Sequence, residues 1–329
     1  MLLATVLLSA ALATPTSDTA KALLPHMRPW QQSGWIVLSD APRSSVQQIQ
    51  RTLERTRQEW DRFLRLMDRP RQRLAEPLTC IVFAETADFE SFALQHDTLQ
   101  LSADKVPGYF STGNGWIVFL DPGDHADLDQ AWADLDAAQG RVDDARREGH
   151  GVDAAQAELD AARTDLLDHE SIRRMALAAH ETVYQLVHHT QGFDRNAHWP
   201  LWLHEGLATA FETADRRRPF GPDRDFFQRR NAFLDRLDDG TAYTVDQLLA
   251  LTTKDGLDDA GTVAAYVDTC ALVSWLTRVQ RRRCASFLDA IGRPDDDEQP
   301  ISAATAFRTH VGEPAKITRQ WWADERRRR

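Results

Sequence analysis

The chain has 329 residues, of which 42% are hydrophobic and 27% charged. This composition is typical of a folded globular protein and excludes a chain that is disordered throughout. The formal net charge of −11 disfavours nucleic acid as the natural partner, because nucleic-acid-binding surfaces are basic.

The chain begins MLLATVLLSAALATP, with an almost unbroken apolar run from Leu2 to Ala13. The run ends in Ala-Leu-Ala, which has the A-x-A form of a signal-peptide cleavage site. It is too short to span a bilayer as a helix. We therefore predict a signal peptide over residues 1–13 and an exported protein, periplasmic or extracellular, with no integral membrane segment in the mature chain. The alternatives are a mature N-terminal helix and a start codon placed too far downstream.

The next hundred residues have the pattern of a small α/β unit. Residues 34–40 and 78–85 have the composition of strands, and residues 44–67 between them carry apolar side chains at helical spacing. Residues 108–120 read as two strands around an Asn-Gly pair, which is a strong hairpin signal. We predict an N-terminal α/β subdomain over residues 30–120.

An acidic segment follows. Residues 121–170 contain 15 Asp and Glu against 4 Arg and no Lys, so this segment alone carries a charge equal to that of the whole chain. Leucine or valine recurs every seven residues, with alanine between, in two arms joined by a glycine turn. We predict an inserted acidic helical hairpin over residues 121–166. It is interpreted either as a solvated structural insertion or as a partner-binding arm.

The remainder, residues 167–329, is predicted to be mostly helical. Helices are expected over residues 171–191, 201–214, 225–237 and 263–279. The predicted fold class is therefore α+β: a small N-terminal mixed sheet, an inserted helical hairpin and a mostly helical part.

The stretch HETVYQLVHH, residues 180–189, begins like the helix of a zinc protease. A helix advances 100° per residue, so two histidines at i and i+4 share one face and can bind one zinc ion. The glutamate after the first histidine then turns toward the metal-bound water. Here His180 and Glu181 provide the first ligand and the general base, while Tyr184 stands at the place of the second histidine.

A second stretch, WPLWLHEGLATAFE at residues 199–212, places Glu205 on the next helix. A turn containing Gly192 and Pro200 lets this helix return against the first one. Glu205 could then face His180 across a cleft, with Glu212 two turns further along the same side.

Together, AHETVYQL and WPLWLHEGLATAFE resemble the gluzincin metallopeptidases, specifically the peptidase MA-like group of exported bacterial proteins. That family has H-E-x-x-H-Q-L, a turn, and then P-x-W-L-x-E-G-L-A-x-x-F-E. The resemblance covers residues 34–279, with the acidic hairpin as an insertion. It implies a zincin-like fold in which the last strand of the sheet borders the substrate cleft and pairs with an extended peptide.

The resemblance also implies roles for individual residues. His180 would be a zinc ligand, Glu205 the third ligand and Glu181 the general base. Tyr266, on a later helix, is a weaker candidate for supporting the oxyanion; the alternative is an ordinary core tyrosine. Tyr184 departs from the family pattern, because a phenol is longer than an imidazole and is protonated near neutral pH, with a reference pKa of about 10.

Four other histidines near these two stretches are candidates to replace the missing ligand. His188 lies eight residues from His180, which is about 12 Å along a helix and too far for one metal ion. His189 points elsewhere, and His204 leaves its helix roughly 100° away from Glu205. His198, in the turn, is the one histidine with the freedom to reach the site.

Three hypotheses follow. The first is an exported zinc metallopeptidase that hydrolyses peptides and uses Tyr184 or an outside residue as a ligand. The second is a catalytically inactive pseudopeptidase that binds a peptide or a protein partner. The third is a structural helical protein with accidental His-Glu pairs, which the second stretch disfavours. The first two place His180, Tyr184 and Glu205 at the base of a groove beside residues 108–120.

Overall fold

The structure is a computed structural model. It describes residues 17–69, 74, 76–103, 106–121, 126–189, 199–224, 227–253, 256–291 and 301–329. The predicted signal peptide over residues 1–13 and the turn residue His198 lie outside this set. Within the described ranges, no helix is both long and apolar enough to cross a membrane.

Five strands form one mixed sheet near the N-terminus. They are β1 (Arg28–Gln32), β2 (Trp35–Ser39), β3 (Leu78–Phe83), β4 (Gly108–Ser111) and β5 (Trp116–Leu120). Their order is β1-β2-β3-β5-β4, with β2, β3 and β5 parallel and with β1 and β4 antiparallel at the two edges. The four strands predicted from sequence are confirmed. Strand β1 was not predicted, because it is largely polar and exposed, as edge strands often are.

The described helices surround and follow this sheet. They are α1 (Ser17–Leu23), α2 (Arg43–Leu66), α3 (Thr86–Asp97), α4 (Ala126–Glu148), α5 (Val152–His189), α6 (Leu201–Ala210), α7 (Phe227–Asp238), α8 (Val245–Ala250), α9 (Asp259–Val279), α10 (Arg281–Ala290), α11 (Ala303–His310) and α12 (Pro314–Arg327). A mixed N-terminal sheet followed by a mostly helical part confirms the α+β class.

The sheet is buried on both faces, because successive side chains along a strand point to opposite sides. On β2, Trp35 and Val37 join the large core built with α2, α5 and the C-terminal helices. Ile36 and Leu38 join a second core beneath α1 and α3. The two cores hold the sheet between helical layers, and α5 packs on the larger one.

The predicted acidic hairpin is present as α4 and the first part of α5. Ala138 and Val142 of α4 pack against Ala155 and Leu159 of α5, which gives the narrow seam expected from the heptad pattern. The second arm continues without a break into the helix that carries His180. The predicted boundary at residue 166 therefore lies inside α5, and the predicted helix start at residue 171 is wrong.

The reason for this continuity lies in the composition of α5. Its 38 residues contain neither glycine nor proline, so nothing interrupts the helical backbone. At 1.5 Å per residue, the helix is about 57 Å long.

Candidate functional site

Gln185 anchors α5 to the sheet one residue beyond Tyr184. Its Oε1 accepts a hydrogen bond of 2.9 Å from Trp35 Nε1. Its Nε2 donates to two backbone carbonyls, those of Thr79 at 2.8 Å and of Gly115 at 2.9 Å. These three buried hydrogen bonds fix both the position and the rotation of α5. They therefore decide which side chains of α5 face α6 and α9.

Gly206 allows the backbones of α6 and α9 to come into direct contact. A Cβ atom on Gly206 would lie 2.7 Å from the carbonyl oxygen of Thr269 and 2.9 Å from its carbonyl carbon. Such distances are not tolerated, so only glycine fits at this crossing. The close approach brings Glu205 on α6 and Tyr266 on α9 to the same face of α5.

His180 and Glu205 meet at the centre of the site. His180 Nε2 lies 3.3 Å from Glu205 Oε2, and both residues are buried. Two donors that share a tetrahedral zinc ion at bond lengths of roughly 2.0–2.1 Å lie about 3.3–3.4 Å apart. The observed separation therefore suits a shared zinc ion as well as a direct ion pair.

Behind His180, a chain of contacts orients its ring. His180 Nδ1 lies 3.1 Å from Glu212 Oε1. The other oxygen of Glu212 accepts hydrogen bonds from Arg229 Nε at 3.0 Å and Nη2 at 2.7 Å. A carboxylate on the far nitrogen of an imidazole is the usual way to direct the near nitrogen toward a metal. Glu212 and Arg229 thus hold Nε2 toward Glu205.

The charges around His180 favour its protonated form in the metal-free protein. Burial alone would lower its pKa, but hydrogen bonds to Glu205 and Glu212 and the charge of Glu181 raise the pKa of His180 to about 10. Burial likewise favours the neutral form of Glu212, yet Arg229 and His180 lower the pKa of that carboxyl. At neutral pH without metal, the imidazolium of His180 therefore lies between two carboxylates, with Nε2–H directed at Glu205 and Nδ1–H at Glu212.

Tyr184 lies against the same carboxylate. Its side chain is hydrogen-bonded to Glu205, and its ring is 5.5 Å from the His180 ring. Burial, and then the charges of Glu205 and Glu181, raise the pKa of the Tyr184 phenol well above its ordinary value. The phenol is therefore neutral at physiological pH, and its O–H donates a hydrogen bond to the Glu205 carboxylate.

The other two residues predicted for the site, Glu181 and Tyr266, also lie near His180. Glu181 is buried, and its charge acts on both His180 and Tyr184. The Tyr266 ring lies 6.3 Å from the His180 ring and is only partly buried. The structure thus brings together His180, Glu181, Tyr184, Glu205 and Tyr266. Tyr266 thus lies beside His180, and its role in supporting an oxyanion stays a prediction.

The neighbouring histidines do not complete a ligand set. The His188 ring packs against Phe110, with ring centroids 5.2 Å apart, and His189 Nε2 lies 3.0 Å from the carbonyl oxygen of Gly115. His204 packs on the Tyr184 ring, with centroids 4.0 Å apart. In the part of the chain that the structure describes, no three His, Cys, Asp or Glu side chains are arranged to hold a metal ion.

The site lies beside the edge strand of the sheet. Strand β4 is the terminal strand in the sheet order, and Phe110 on β4 stacks on Tyr184 with ring centroids 6.4 Å apart. At the start of β4, Gly108 lies close to Leu177 of α5. Strand β4 is therefore packed against the helix that carries His180, and the groove expected beside residues 108–120 stays a prediction.

Sequence comparison gives a partial match. Residues 174–295 are similar to a family described as a protein of unknown function (DUF1570). This segment, over a third of the chain, contains every residue of the site named above except those of β4. No curated protein matches the chain.

Proposed function

We propose that the chain is a metallopeptidase-like protein of the gluzincin type, with a zincin-like fold in which His180 and Glu205 would hold a zinc ion. The observation that carries this proposal is the convergence of His180, Glu181 and Glu205, from two different helices, beside the edge strand β4. The 3.3 Å separation of the two donor atoms supports it.

The residues of the site have distinct tasks in peptide hydrolysis. When bound, zinc supplies a Lewis acid that polarises the amide carbonyl. Glu212 keeps the His180 ring turned toward Glu205. The Glu181 carboxylate takes a proton from the attacking water and passes it to the departing amine nitrogen, so that water and amide yield a carboxylic acid and an amine. Tyr266 would donate a hydrogen bond to the oxygen that becomes negative.

The substrate class is a peptide or protein segment bound in extended form. The outer edge of β4 presents backbone N–H and C=O groups that a peptide strand can pair with. Phe110 and Tyr184 form a stacked aromatic wall between this edge and His180. For the proposed hydrolysis, a peptide on β4 would need to come within reach of the Glu181 carboxylate.

A second candidate function is that of a pseudopeptidase that binds a peptide or protein without cleaving it. It is favoured by Tyr184, which stands at the second ligand position as a neutral phenol already bonded to Glu205. In this case the Nε2–H of the His180 imidazolium would pair with Glu205 directly, across the gap where a zinc ion would otherwise be held.

Metal content separates the two candidates. Purified wild-type protein and the variants Tyr184→His, His180→Gln and Tyr243→His would be equilibrated with trace zinc and measured by elemental analysis. Stoichiometric zinc in the wild type and in Tyr243→His, but not in His180→Gln, supports the metallopeptidase. Zinc in Tyr184→His alone supports the pseudopeptidase. Zinc in none of the four proteins contradicts the proposed ligand pair.

Turnover is tested separately. A peptide library would be incubated with the wild type and with Glu181→Gln, which keeps the size of the side chain and removes the base. Cleavage by the wild type alone supports the metallopeptidase. Equal cleavage by both proteins means that Glu181 is not the base, and binding of peptides without cleavage supports the pseudopeptidase.

We also propose that the protein is exported, which rests on the apolar run up to Ala13. N-terminal sequencing of the protein recovered from its native host is expected to find a chain that starts after Ala13. A mature protein that retains Met1 would contradict export by a cleaved signal.

A further inference from the structure

Asp97, the last residue of α3, is hydrogen-bonded to the β-hairpin formed by β4 and β5. Its Oδ2 accepts a hydrogen bond of 2.8 Å from the phenol O–H of Tyr109. Its Oδ1 accepts hydrogen bonds from the Ser111 hydroxyl and, at 3.1 Å, from Nδ2 of Asn114. The same Nδ2 also lies 3.0 Å from Ser111 Oγ. Three donors of the β-hairpin therefore form one network around a single carboxylate.

The helix that carries Asp97 gives this carboxylate no support of its own. The carbonyl end of a helix is partially negative, which disfavours a carboxylate in the last turn. The helix ends here, because Thr98, the next residue, has a left-handed backbone with φ 55°. The hydrogen bonds from the β-hairpin offset this unfavourable placement, since hydrogen bonds to a charged group are strong. Asp97 therefore acts on the β-hairpin and not on α3.

The two faces of β4 have different neighbours, because successive side chains of a strand point to opposite sides. Tyr109 and Ser111 point toward Asp97, and Tyr109 joins the core beneath α1 and α3. Phe110 points the other way and stacks on Tyr184 of α5. Asp97 thus holds one face of β4, while the opposite face contributes Phe110 to the surroundings of His180.

Strand β4 is short and has one neighbour in the sheet. It contains four residues and, among the described strands, pairs with β5 alone. A short edge strand opens more readily than a central strand, because fewer hydrogen bonds and contacts hold it. On the α5 side its contacts are apolar, through Phe110 with Tyr184 and through Gly108 with Leu177. The network at Asp97 is the polar attachment on the opposite side.

We propose that Asp97 is a positioning residue of the candidate site. It fixes β4 from the α3 side, and so holds Phe110 against Tyr184 and keeps the strand edge in place for an extended peptide. The part that concerns the peptide rests on the proposed function. The placement of β4 and Phe110 does not.

Three variants of the full-length protein are compared with the wild type. Asp97→Ala removes the acceptor of the network. Tyr109→Phe removes one of its donors and keeps the ring that packs in the core. Asp136→Ala is the matched control, because it removes one negative charge from an exposed residue of α4. Circular dichroism establishes that each variant is folded.

Amide hydrogen exchange measures how firmly β4 is held. In Asp97→Ala, exchange at Gly108–Ser111 should be about tenfold faster or more, since a hydrogen bond to a charged group is worth about that factor. Tyr109→Phe should show a smaller change in the same direction, and Asp136→Ala none. The nuclear Overhauser contact between the rings of Phe110 and Tyr184 should weaken in Asp97→Ala. The amides of α9 report global stability in the same experiment, so a faster exchange confined to β4 identifies a local effect.

Binding of fluorescently labelled casein is the readout that a purely structural residue would not change. Casein is an unfolded protein with many extended segments, and a chelator is present to prevent its cleavage. If β4 is in place in roughly a third of the Asp97→Ala molecules, the apparent affinity falls about threefold. We expect a loss of about threefold or more in Asp97→Ala, and wild-type affinity in Asp136→Ala.

The proposal is overturned by unchanged exchange at β4, by equal acceleration in β4 and α9, or by an unchanged contact between Phe110 and Tyr184. It is also overturned if the wild type binds casein and Asp97→Ala binds it equally well. A wild type that binds no casein would instead contradict the proposed function. The exchange and ring-contact results would then still decide whether Asp97 positions β4.

Discussion

Gly206 of α6 and Thr269 of α9 are in contact through their backbones. A methyl group at residue 206 would lie 2.7 Å from the Thr269 carbonyl oxygen, which belongs to helical backbone and cannot move aside as a side chain can. The crossing of α6 and α9 is therefore set by the absence of a side chain, and this crossing places Glu205 and Tyr266 on either side of His180.

Gly206→Ala is expected to destabilise the protein by about 1–3 kcal/mol, because the added methyl group forces the two helices apart. Gly140→Ala is the matched control. Gly140 lies in α4 with nothing within 4 Å of the position of a Cβ atom. There alanine should be neutral or stabilising by up to about 1 kcal/mol, since it favours the helix. Urea denaturation of the three proteins measures both effects; equal stability of Gly206→Ala and wild type would contradict the close crossing.

Gln185→Ala should lower the free energy of unfolding by about 2–4 kcal/mol, because three hydrogen bonds are lost and their partner groups remain buried. Gln139→Ala, on the exposed face of α4, should change stability by less than about 0.5 kcal/mol. The comparison is made by thermal unfolding. Equal melting temperatures for the two variants would show that Gln185 does not anchor α5.

Arg229→Met removes both hydrogen bonds to Glu212 and leaves that buried carboxylate with His180 alone. We expect a loss of about 1–3 kcal/mol in stability, measured by chemical denaturation. Arg282→Gln serves as the control for the loss of one positive charge. A variant of wild-type stability would show that the Arg229–Glu212 pair contributes nothing net to the fold.

The metal-free protein should become less stable between neutral and alkaline pH. The pKa of His180 is raised from 6.5 to about 10 in the folded state. A raised pKa contributes stability that is fully present below the unfolded value of 6.5 and is lost as pH rises through about 10. The largest contribution that this shift allows is about 5 kcal/mol, since each unit of pKa corresponds to about 1.4 kcal/mol.

His180→Gln isolates this effect, since glutamine does not titrate. The stability difference between wild type and His180→Gln, from urea denaturation, should shrink steadily as the pH rises from 6.5 toward 10. Nitrogen-15 chemical shifts of the His180 ring should titrate over the upper part of that range. A ring that titrates near pH 6.5 would contradict an imidazolium held between Glu205 and Glu212.

Much of the fold could be predicted from local sequence patterns. The runs that became β2 and β3 are apolar, and the Asn-Gly pair between β4 and β5 gives a turn whatever surrounds it. Strand β1 escaped prediction because Arg28–Gln32 has little apolar character and pairs only at the sheet edge. The single helix α5 escaped it because the acidic composition changes within the helix while its backbone does not.

Some residues of the candidate site could likewise be predicted from the sequence, and others could not. His180, Glu181 and Glu205 could be named because two sequence stretches resemble the motifs of the gluzincins, and helical periodicity puts His180 and Glu181 on one helix. Arg229 could not, since its pairing with Glu212 depends on how α7 packs and has no local signal. Glu212 was placed on the correct side, but its contact with Nδ1 of His180 is a tertiary result. The contact between Tyr184 and Glu205 is likewise visible only in three dimensions.

Because α5 is continuous, the second arm of the acidic hairpin and His180 belong to one helix. A small rotation of the helix at His180 therefore gives a large displacement at the hairpin tip. From His180 back to Val152 the helix covers 28 residues without a break, or about 42 Å. A tilt of roughly 5° in the part of α5 that holds His180 would move the hairpin tip by about 4 Å over that length. A spectroscopic label at the tip would therefore magnify motions of the site that are too small to follow directly, and a force applied to the tip would act on His180 through the same rigid helix.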